Sequence, residues 1–319
     1  ALAGKAGQMT ENLRTVLVTG CSSGIGRAIA IKLADNGYRV LATVRSEHDA
    51  HDLRELGLSQ LHVLQLDVTD EQSVAAAVEQ VQELSPRGLY ALVNNAGAGL
   101  PAAVELSSID EVRHLLEVNT LGPLRMIQAF LPQLRDGGGR IINMSSMNGT
   151  FALPMVGAYS ASKFALEALS DTLRVELRPW QIPVVIIRPG QVRTSIFTKA
   201  RKLLNSKIRQ IPLELRNGYE VMYQRAGEFN DRGAKSSTTP GMVAITVQKA
   251  LDARTPRLHY LLGYDALGMQ LGKLFVMPRL VDRILARAIG AMKPLKKTPA
   301  VPSPELPATK SQIEPKAVS

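Results

Sequence analysis

Tyr159 and Lys163 stand four residues apart in a stretch with helical apolar spacing, so their side chains share one face. A tyrosine titrates near ~10 and is a poor base at neutral pH. A neighbouring ammonium favours the phenolate and tunes the phenol toward general acid/base work. The pair alone says little, because surface helices often carry both residues. Two further features give it weight. Adjacent hydroxyls, Ser145 and Ser146, lie upstream. Near the start of the chain, Thr19-Gly20-Cys21-Ser22-Ser23-Gly24-Ile25-Gly26 follows an apolar run and leads into a helical pattern. Glycines in that position let the backbone turn sharply and approach a pyrophosphate closely. The free N–H groups of the following helix then face its negative charge.

These groups need a scaffold, and the apolar pattern describes one. Short runs at 15–19, 39–43, 61–65, 89–93, 140–144, 184–188 and 258–262 read as strands. Segments 25–36, 71–84, 109–134 and 160–177 repeat near 3.6 residues and read as helices. The runs VLV, LHVLQL, ALV and VVII are continuously apolar, as strands covered on both faces must be. Right-handed crossovers then give a single-domain α/β fold. It is a Rossmann-type, doubly wound parallel sheet of about seven strands with helices on both faces, plus a C-terminal helical extension. The domain is expected over 13–292, after a flexible segment 1–12 and before a disordered tail 293–319 rich in Lys, Pro, Ser and Thr. Residues 195–239 have weak periodicity and interrupt the sheet after its sixth strand, which marks them as a lid.

Several motifs recur in a known order. The glycine turn reads T-G-x-x-x-G-I-G. Asn94-Asn95-Ala96-Gly97 closes the fourth strand, Asn119 lies in the next helix, and Ser146 follows the fifth strand. Tyr159-Ser160-Ala161-Ser162-Lys163 opens a helix, and Pro189-Gly190-Gln191-Val192-Arg193-Thr194 ends the sixth strand. Over 15–194 the chain resembles the short-chain dehydrogenase/reductase family. Cys21-Ser22-Ser23, Ala42-Thr43-Val44-Arg45 and Ser162-Lys163-Phe164-Ala165-Leu166-Glu167 resemble its steroid and retinol dehydrogenase branch.

The resemblance implies hydride transfer between a nicotinamide and an alcohol or ketone carbon. It implies a tetrad of Asn119, Ser146, Tyr159 and Lys163. The family serine stands thirteen residues before the tyrosine, which selects Ser146 to hold the substrate oxygen and leaves Ser145 to the strand packing. Hydrogen bonds from Ser146 and Tyr159 would stabilise the negative charge that grows on that oxygen. Tyr159 would give up its proton, and Lys163 with the ribose and water would relay a replacement. Asn119 would position a water linking Lys163 to solvent, or satisfy buried backbone groups at a break in its helix. Gly20, Ser22, Ser23, Gly24, Ile25 and Gly26 would hold the cofactor phosphates. Asp67 would meet the adenine beside Val68, although it also suits a helix N-cap ahead of 71–84. Asn94, Ala96, Gly97, Tyr159 and Lys163 would line the nicotinamide ribose side. Pro189, Gly190, Val192 and Thr194 complete the cofactor set, with Thr194 on the carboxamide.

The end of the second strand selects the cofactor. An acid there takes a ribose hydroxyl, whereas an arginine takes a 2′-phosphate. Arg45 stands at that end with no acid, which favours NADP(H) over NAD(H); its alternative is a solvated surface arginine. The lid contributes Ile196, Phe197, Leu203, Leu204, Ile211, Leu213, Tyr219, Met222, Tyr223 and Phe229, so the expected substrate is a hydrophobic alcohol or ketone. Competing readings are a 3-oxoacyl or small carbonyl reductase of the same family and a non-catalytic NADP-sensing protein.

The remaining features bound the setting. Arg279, Arg283 and Arg287 form a basic stripe opposite Val281, Ile284, Leu285 and Ala288. Residues 278–292 therefore suit peripheral contact with an anionic membrane, or packing on the domain with the arginines in water. The net charge is +10, but aromatic content is 4% and no nucleic-acid motif is present, so no nucleic-acid partner is expected. A single cysteine, Cys21, excludes an intrachain disulfide and points to a reducing, cytoplasmic setting. The five histidines lack metal-ligand spacing, and no metal site is expected. The opening residues ALAGKAGQ lack the apolar run of a signal peptide, and Met9 is the expected natural start. The family resemblance further implies a homo-oligomer formed through the helices around Asn119 and Ser160.

Overall fold

Seven short strands form one parallel sheet, and their neighbours place a crevice at its centre. The computed structural model describes residues 14–263 and 278–291; the expected flexible segment 1–12 and tail 293–319 lie outside them. The strands are β1 (Thr15–Val18), β2 (Arg39–Val44), β3 (Leu61–Gln65), β4 (Ala91–Asn94), β5 (Arg140–Met144), β6 (Val184–Pro189) and β7 (His259–Leu262). Their order is β3-β2-β1-β4-β5-β6-β7, with every pairing parallel. The order reverses between β1 and β4, so the crevice for a ligand opens beyond the carboxyl ends of those two strands.

Alternate strand residues feed two cores. Val16, Val18, Val40, Ala42, Val93, Ile142 and Ile187 face one side. There α1 (Gly24–Asp35), α2 (Glu47–Arg54) and α9 (Pro240–Asp252) cover them. Leu17, Leu41, Leu92, Ile141 and Val184 face the other side, under α3 (Glu71–Leu84) and α5 (Gly122–Asp136). Residues with both neighbours buried must be apolar throughout, which is why the strands read as continuous runs.

Two helical expectations change. The single helix expected over 109–134 is divided into α4 (Ile109–Leu116), a π-helical turn (Glu117–Leu121) and α5. A Cβ on Gly122 would come 2.8 Å from Val68 Cγ2, so the chain after the turn passes close to the end of β3. The weakly periodic segment expected to form a lid consists of two helices, α7 (Ile196–Gln210) and α8 (Leu213–Ala234). They bury few apolar residues, and those serve a small core of their own around Leu204, Ile211 and Tyr223. Between α5 and α7 in sequence order, α6 (Gly157–Glu176) carries the Tyr159/Lys163 pair.

The C-terminal extension is α10 (Pro278–Ile289), which packs on α8. Ile289 joins the lid core, and Arg225 Nη1 donates to the carbonyls of Arg287 at 2.9 Å and Ala288 at 3.2 Å. Val281 and Leu285 turn partly inward. Ile284 and Ala288, expected with them, instead stay exposed beside the arginines, as does Leu280. The inner stripe is narrower than the sequence pattern suggested, because only one edge of the helix meets α8.

Candidate active site

The glycine turn is held in a shape only glycine supports at its tightest points. Gly20 and Gly24 have φ of 70° and 59°, in the left-handed region. A Cβ on Gly26 would fall 2.2 Å from the Gly20 carbonyl oxygen. Ser23 stands at the N-cap of α1 with extended backbone, but its hydroxyl makes no capping bond, and no acid lies in the first turn. The first N–H groups of α1 therefore stay available to an anion.

The turn after β4 braces the glycine turn from below. Thr19 Oγ1 accepts from the N–H groups of Asn95 and Ala96, both at 2.9 Å. Asn95 Nδ2 donates to the carbonyls of Thr19 at 2.9 Å and Gly20 at 3.1 Å. The sequence motif assigns Asn95 no role, and its bracing task shows only once β1 and β4 are neighbours. Asn94 ends β4. Its side chain is buried and donates to Asn143 Oδ1 at 2.9 Å, and Asn143 in turn donates to Ser170 Oγ at 2.8 Å. The carboxamide nitrogen thus joins a polar ladder that runs to α6.

Arg45 and Asp67, the residues expected at the adenosine end, follow β2 and β3. Arg45 is exposed just after β2, and its carbonyl accepts from Gln65 Nε2 at 2.9 Å. Burial pushes the Asp67 carboxyl up, but bonds from Thr69 and the nearby Arg45 and His114 carry it net below its ordinary value. Asp67 Oδ1 accepts from Thr69 N at 2.9 Å and Thr69 Oγ1 at 2.7 Å. The helix-cap alternative for Asp67 is overturned: Asp70 caps α3, accepting from Gln72 N at 2.9 Å. Val68 stands beside it, buried in the core under α3. Glu47, the nearest acid after Arg45, is occupied by an ion pair with Arg54.

At the other end, the end of β6 returns to the glycine turn. A Cβ on Gly24 would lie 3.4 Å from Thr194 Cγ2, so Thr194 closes over the turn. Pro189 ends β6, Gly190 N donates to the Leu262 carbonyl at 2.8 Å, and Val192 is buried in the first core.

The residues expected to handle the proton follow β5 or lie on the π-helical turn and α6. Ser146 follows β5, and its Oγ accepts from Asn148 N at 3.2 Å and is hydrogen-bonded to Tyr159. Burial pushes the Tyr159 phenol above its ordinary value, and the Ser146 hydroxyl pulls part of that back. The direction is opposite to that expected from an ammonium alone. Lys163 is almost wholly buried, and its Nζ donates to the Met144 carbonyl at 2.9 Å. Burial pulls its pKa down to about 8, against the opposing charge of Glu167. Asn119 is fully buried in the π-helical turn. Its Oδ1 accepts from Ala98 N at 2.8 Å, and its Nδ2 donates to Ala98 O at 2.9 Å and Ser162 Oγ at 3.0 Å. Its carboxamide therefore satisfies buried groups and ties the turn to α6. A Cβ on Gly97 would meet Asn119 Oδ1 at 3.3 Å and Lys163 Nζ at 3.8 Å, which shows that all three converge. Ser145 is buried in the strand packing, and its Oγ has no hydrogen-bond partner among the described residues.

An apolar wall adjoins Tyr159. It comprises Leu100, Ala102 and Leu115, with Ala98, Ala158 and Leu203 packed against them. Of the apolar lid residues expected from the sequence, Leu203 reaches this wall, Leu204, Ile211 and Tyr223 form the lid core, and Ile196, Leu213 and Phe229 remain exposed. Glu167 on α6 and Arg188 on β6 form a buried ion pair that no local motif announces.

A glycine cradle at the sheet reversal, with a hydroxyl, a phenol and a buried ammonium at the next strand ends, is the layout of one enzyme class. Residues 14–205 match the model of the short chain dehydrogenase family, and the chain belongs to that family. Its relatives place it in the steroid and retinol dehydrogenase branch. It is 34% identical over 277 residues to retinol dehydrogenase 5 of Mus musculus, covering 85% of this chain and 87% of that protein. It is 33% identical over 279 residues to 17-beta-hydroxysteroid dehydrogenase type 6 of Homo sapiens, covering 86% and 88%. A short chain dehydrogenase from Burkholderia cenocepacia J2315, solved in complex with NADP, superposes with a TM-score of 0.66 at 25% identity. That alignment covers 86% of this chain and 98% of the other.

Proposed function

We propose that this protein is an NADP(H)-dependent oxidoreductase that interconverts a hydroxyl and a carbonyl on a hydrophobic, steroid- or retinoid-like substrate. The observation that carries the proposal is the hydrogen bond between Ser146 and Tyr159 beside an apolar wall that Leu203 joins, with the buried Lys163 one turn further along the same helix. The chain's own residues fit the cofactor. The positive-φ glycines and the bare first turn of α1 make a cradle for a pyrophosphate, and Arg45 stands where a 2′-phosphate would need a cation. A related protein bound to NADP supports the same choice. Bound there, NADP(H) would supply or accept the hydride.

The side chains handle the oxygen and the proton. Ser146 and Tyr159 donate hydrogen bonds to the substrate oxygen, which stabilises the negative charge that develops on it during reduction. Tyr159 passes its proton to that oxygen. Lys163 holds the ammonium that makes the resulting phenolate affordable, and its burial strengthens that charge interaction. Oxidation runs the same proton path in reverse. The apolar wall excludes water and favours bulky apolar groups over small polar ones.

The same reading includes peripheral contact with an anionic membrane through α10. No helix among the described residues is long and apolar enough to cross a membrane.

The test is fluorescence titration with NADPH and NADH, followed by turnover on steroid, retinoid and small carbonyl panels. Tighter NADPH binding with turnover of a bulky apolar ketone is expected. Tyr159→Phe should cut turnover by at least ~100-fold, the usual worth of a general acid, and leave NADPH affinity nearly unchanged. Binding without turnover on any panel would favour a cofactor-sensing protein, and preference for small or acyl carbonyls would favour the reductase reading.

A further inference from the structure

Beneath Lys163 lies an ion pair that the proton chemistry above does not use. Glu167 is one helical turn further along α6, and Arg188 projects from β6. Arg188 Nε donates to Glu167 Oε1 at 2.9 Å and Nη2 to Oε2 at 2.7 Å, a two-pronged contact. Their side chains are only 10% and 8% exposed. A Cβ on Gly149 would come within 3.0 Å of Glu167 Oε1, so the turn after Ser146 packs directly on the carboxylate. Burying two charges this deeply sacrifices hydration that their attraction seldom outweighs, and apolar residues of similar size would pack as well. The position of the pair points to another role.

We propose that Arg188 clamps Glu167 one turn below Lys163, and that this pair is a positioning device that sets how firmly Lys163 holds its proton. The inference rests on the acid/base reading of Tyr159 and Lys163. Glu167, one helical turn along α6, is the charged neighbour of Lys163 among the described residues, and its charge favours the ammonium against the effect of burial. Arg188 fixes the carboxylate in place and offsets part of its charge. The other ionisable groups near this line are Tyr159 on α6, His259 on β7, and Asp171 and Arg174 further along α6. Burial and then Arg188 hold His259 below its ordinary pKa, so it is neutral over the range in which Lys163 titrates.

The charges dictate opposite responses. Glu167→Gln deletes the anion and leaves Arg188 unpaired near the ammonium, so Lys163 should lose its proton at lower pH. Arg188→Met leaves the carboxylate uncompensated, so Lys163 should keep its proton to higher pH. Shifts of about one pH unit each way, a tenfold change in proton affinity, are expected for a charge at this range. The measurement is NMR of the full chain with 13C-labelled lysine, the Lys163 signal being assigned by its loss in Lys163→Met. Circular dichroism checks that each variant folds. If a single variant does not fold, the double variant Glu167→Gln/Arg188→Met strands no buried charge and can be read instead. Its Lys163 midpoint should fall below the wild-type value, because Glu167 is the nearer influence. Midpoints that stay put, or single variants that shift in the same direction, overturn the proposal. Tyr159→Phe, assayed alongside, separates the two ideas. Turnover in that variant defeats the acid/base reading, whereas a dead Tyr159→Phe with unmoved midpoints defeats only the Glu167–Arg188 role.

Discussion

Single residues in the cradle differ sharply in what they tolerate. Gly26 has the Gly20 carbonyl oxygen at 2.2 Å and Asn95 Nδ2 at 2.4 Å from where a Cβ would sit. A Cβ on Gly24 would make ordinary contact with Thr194 Cγ2 at 3.4 Å, but Gly24 has a left-handed φ of 59°. Gly24→Ala should therefore cost only about 1–2 kcal/mol, the penalty of that conformation. Gly26→Ala must move backbone and break the Asn95 brace, so it should cost at least ~3 kcal/mol, the top of the usual overpacking range. It should also abolish NADPH binding. Urea denaturation with fluorescence titration measures both, and equal losses for the two variants would show that the turn is less tightly braced than described. The glycine turn was legible in the sequence because it is a local pattern read within a few residues, whereas Ser146, thirteen residues before Tyr159, entered only through the family resemblance. Glu167 and Arg188 were not legible, since a glutamate on an amphipathic helix usually lies in water. Only the packing of α6 on β6 brings them together.

At the level of elements, the sheet could be read from its continuous apolar runs, and two helical features could not. The π-helical turn at Glu117–Leu121 leaves the apolar spacing on either side intact, so 109–134 reads as one helix. The lid helices α7 and α8 carry many charges and bury few apolar residues, so helical period was masked by composition. What holds the lid to the body is a small set of polar contacts around a thin core. Tyr223 is fully buried, and its hydroxyl accepts from Ala103 N at 3.2 Å. Lys207 pairs with Glu111 at 2.5 Å, and the Tyr219 hydroxyl donates to Glu105. Tyr223→Phe removes the acceptor and strands a buried N–H, at a cost of about 1–3 kcal/mol. That cost falls on the docking of the lid, because the sheet cores do not include Tyr223. Limited proteolysis should then cut within 196–234 several-fold faster, with unchanged circular dichroism. Unaltered cleavage would mean that the charged contacts alone hold the lid.

For the whole molecule, the excess of positive charge is given direction by α10. The chain carries a net +10, and Arg279, Arg283 and Arg287 lie on the exposed side of this helix. Leu280 and Ile284 are 47% and 56% exposed next to them. A helix whose only task was to pack on α8 would have no need of leucine and isoleucine on its outer side. Placed at a lipid surface, the arginines meet headgroups while those two side chains enter the acyl boundary. The inner edge of the same helix contacts α8, so an apolar substrate leaving the lipid would arrive beside the lid. Basic residues near an anionic surface contribute about 1 kcal/mol each, so three arginines are worth roughly a hundredfold in partitioning. The protein should co-sediment with phosphatidylserine vesicles far better than with phosphatidylcholine vesicles. Arg279→Gln/Arg283→Gln/Arg287→Gln should lower that binding by about two orders of magnitude, and high salt should do the same to the wild type by screening. Leu280→Ser/Ile284→Ser should weaken binding while preserving its salt dependence, because it removes insertion and leaves attraction. Equal binding to both vesicle types, or triple-variant binding equal to wild type, would assign the charge of α10 to solubility alone.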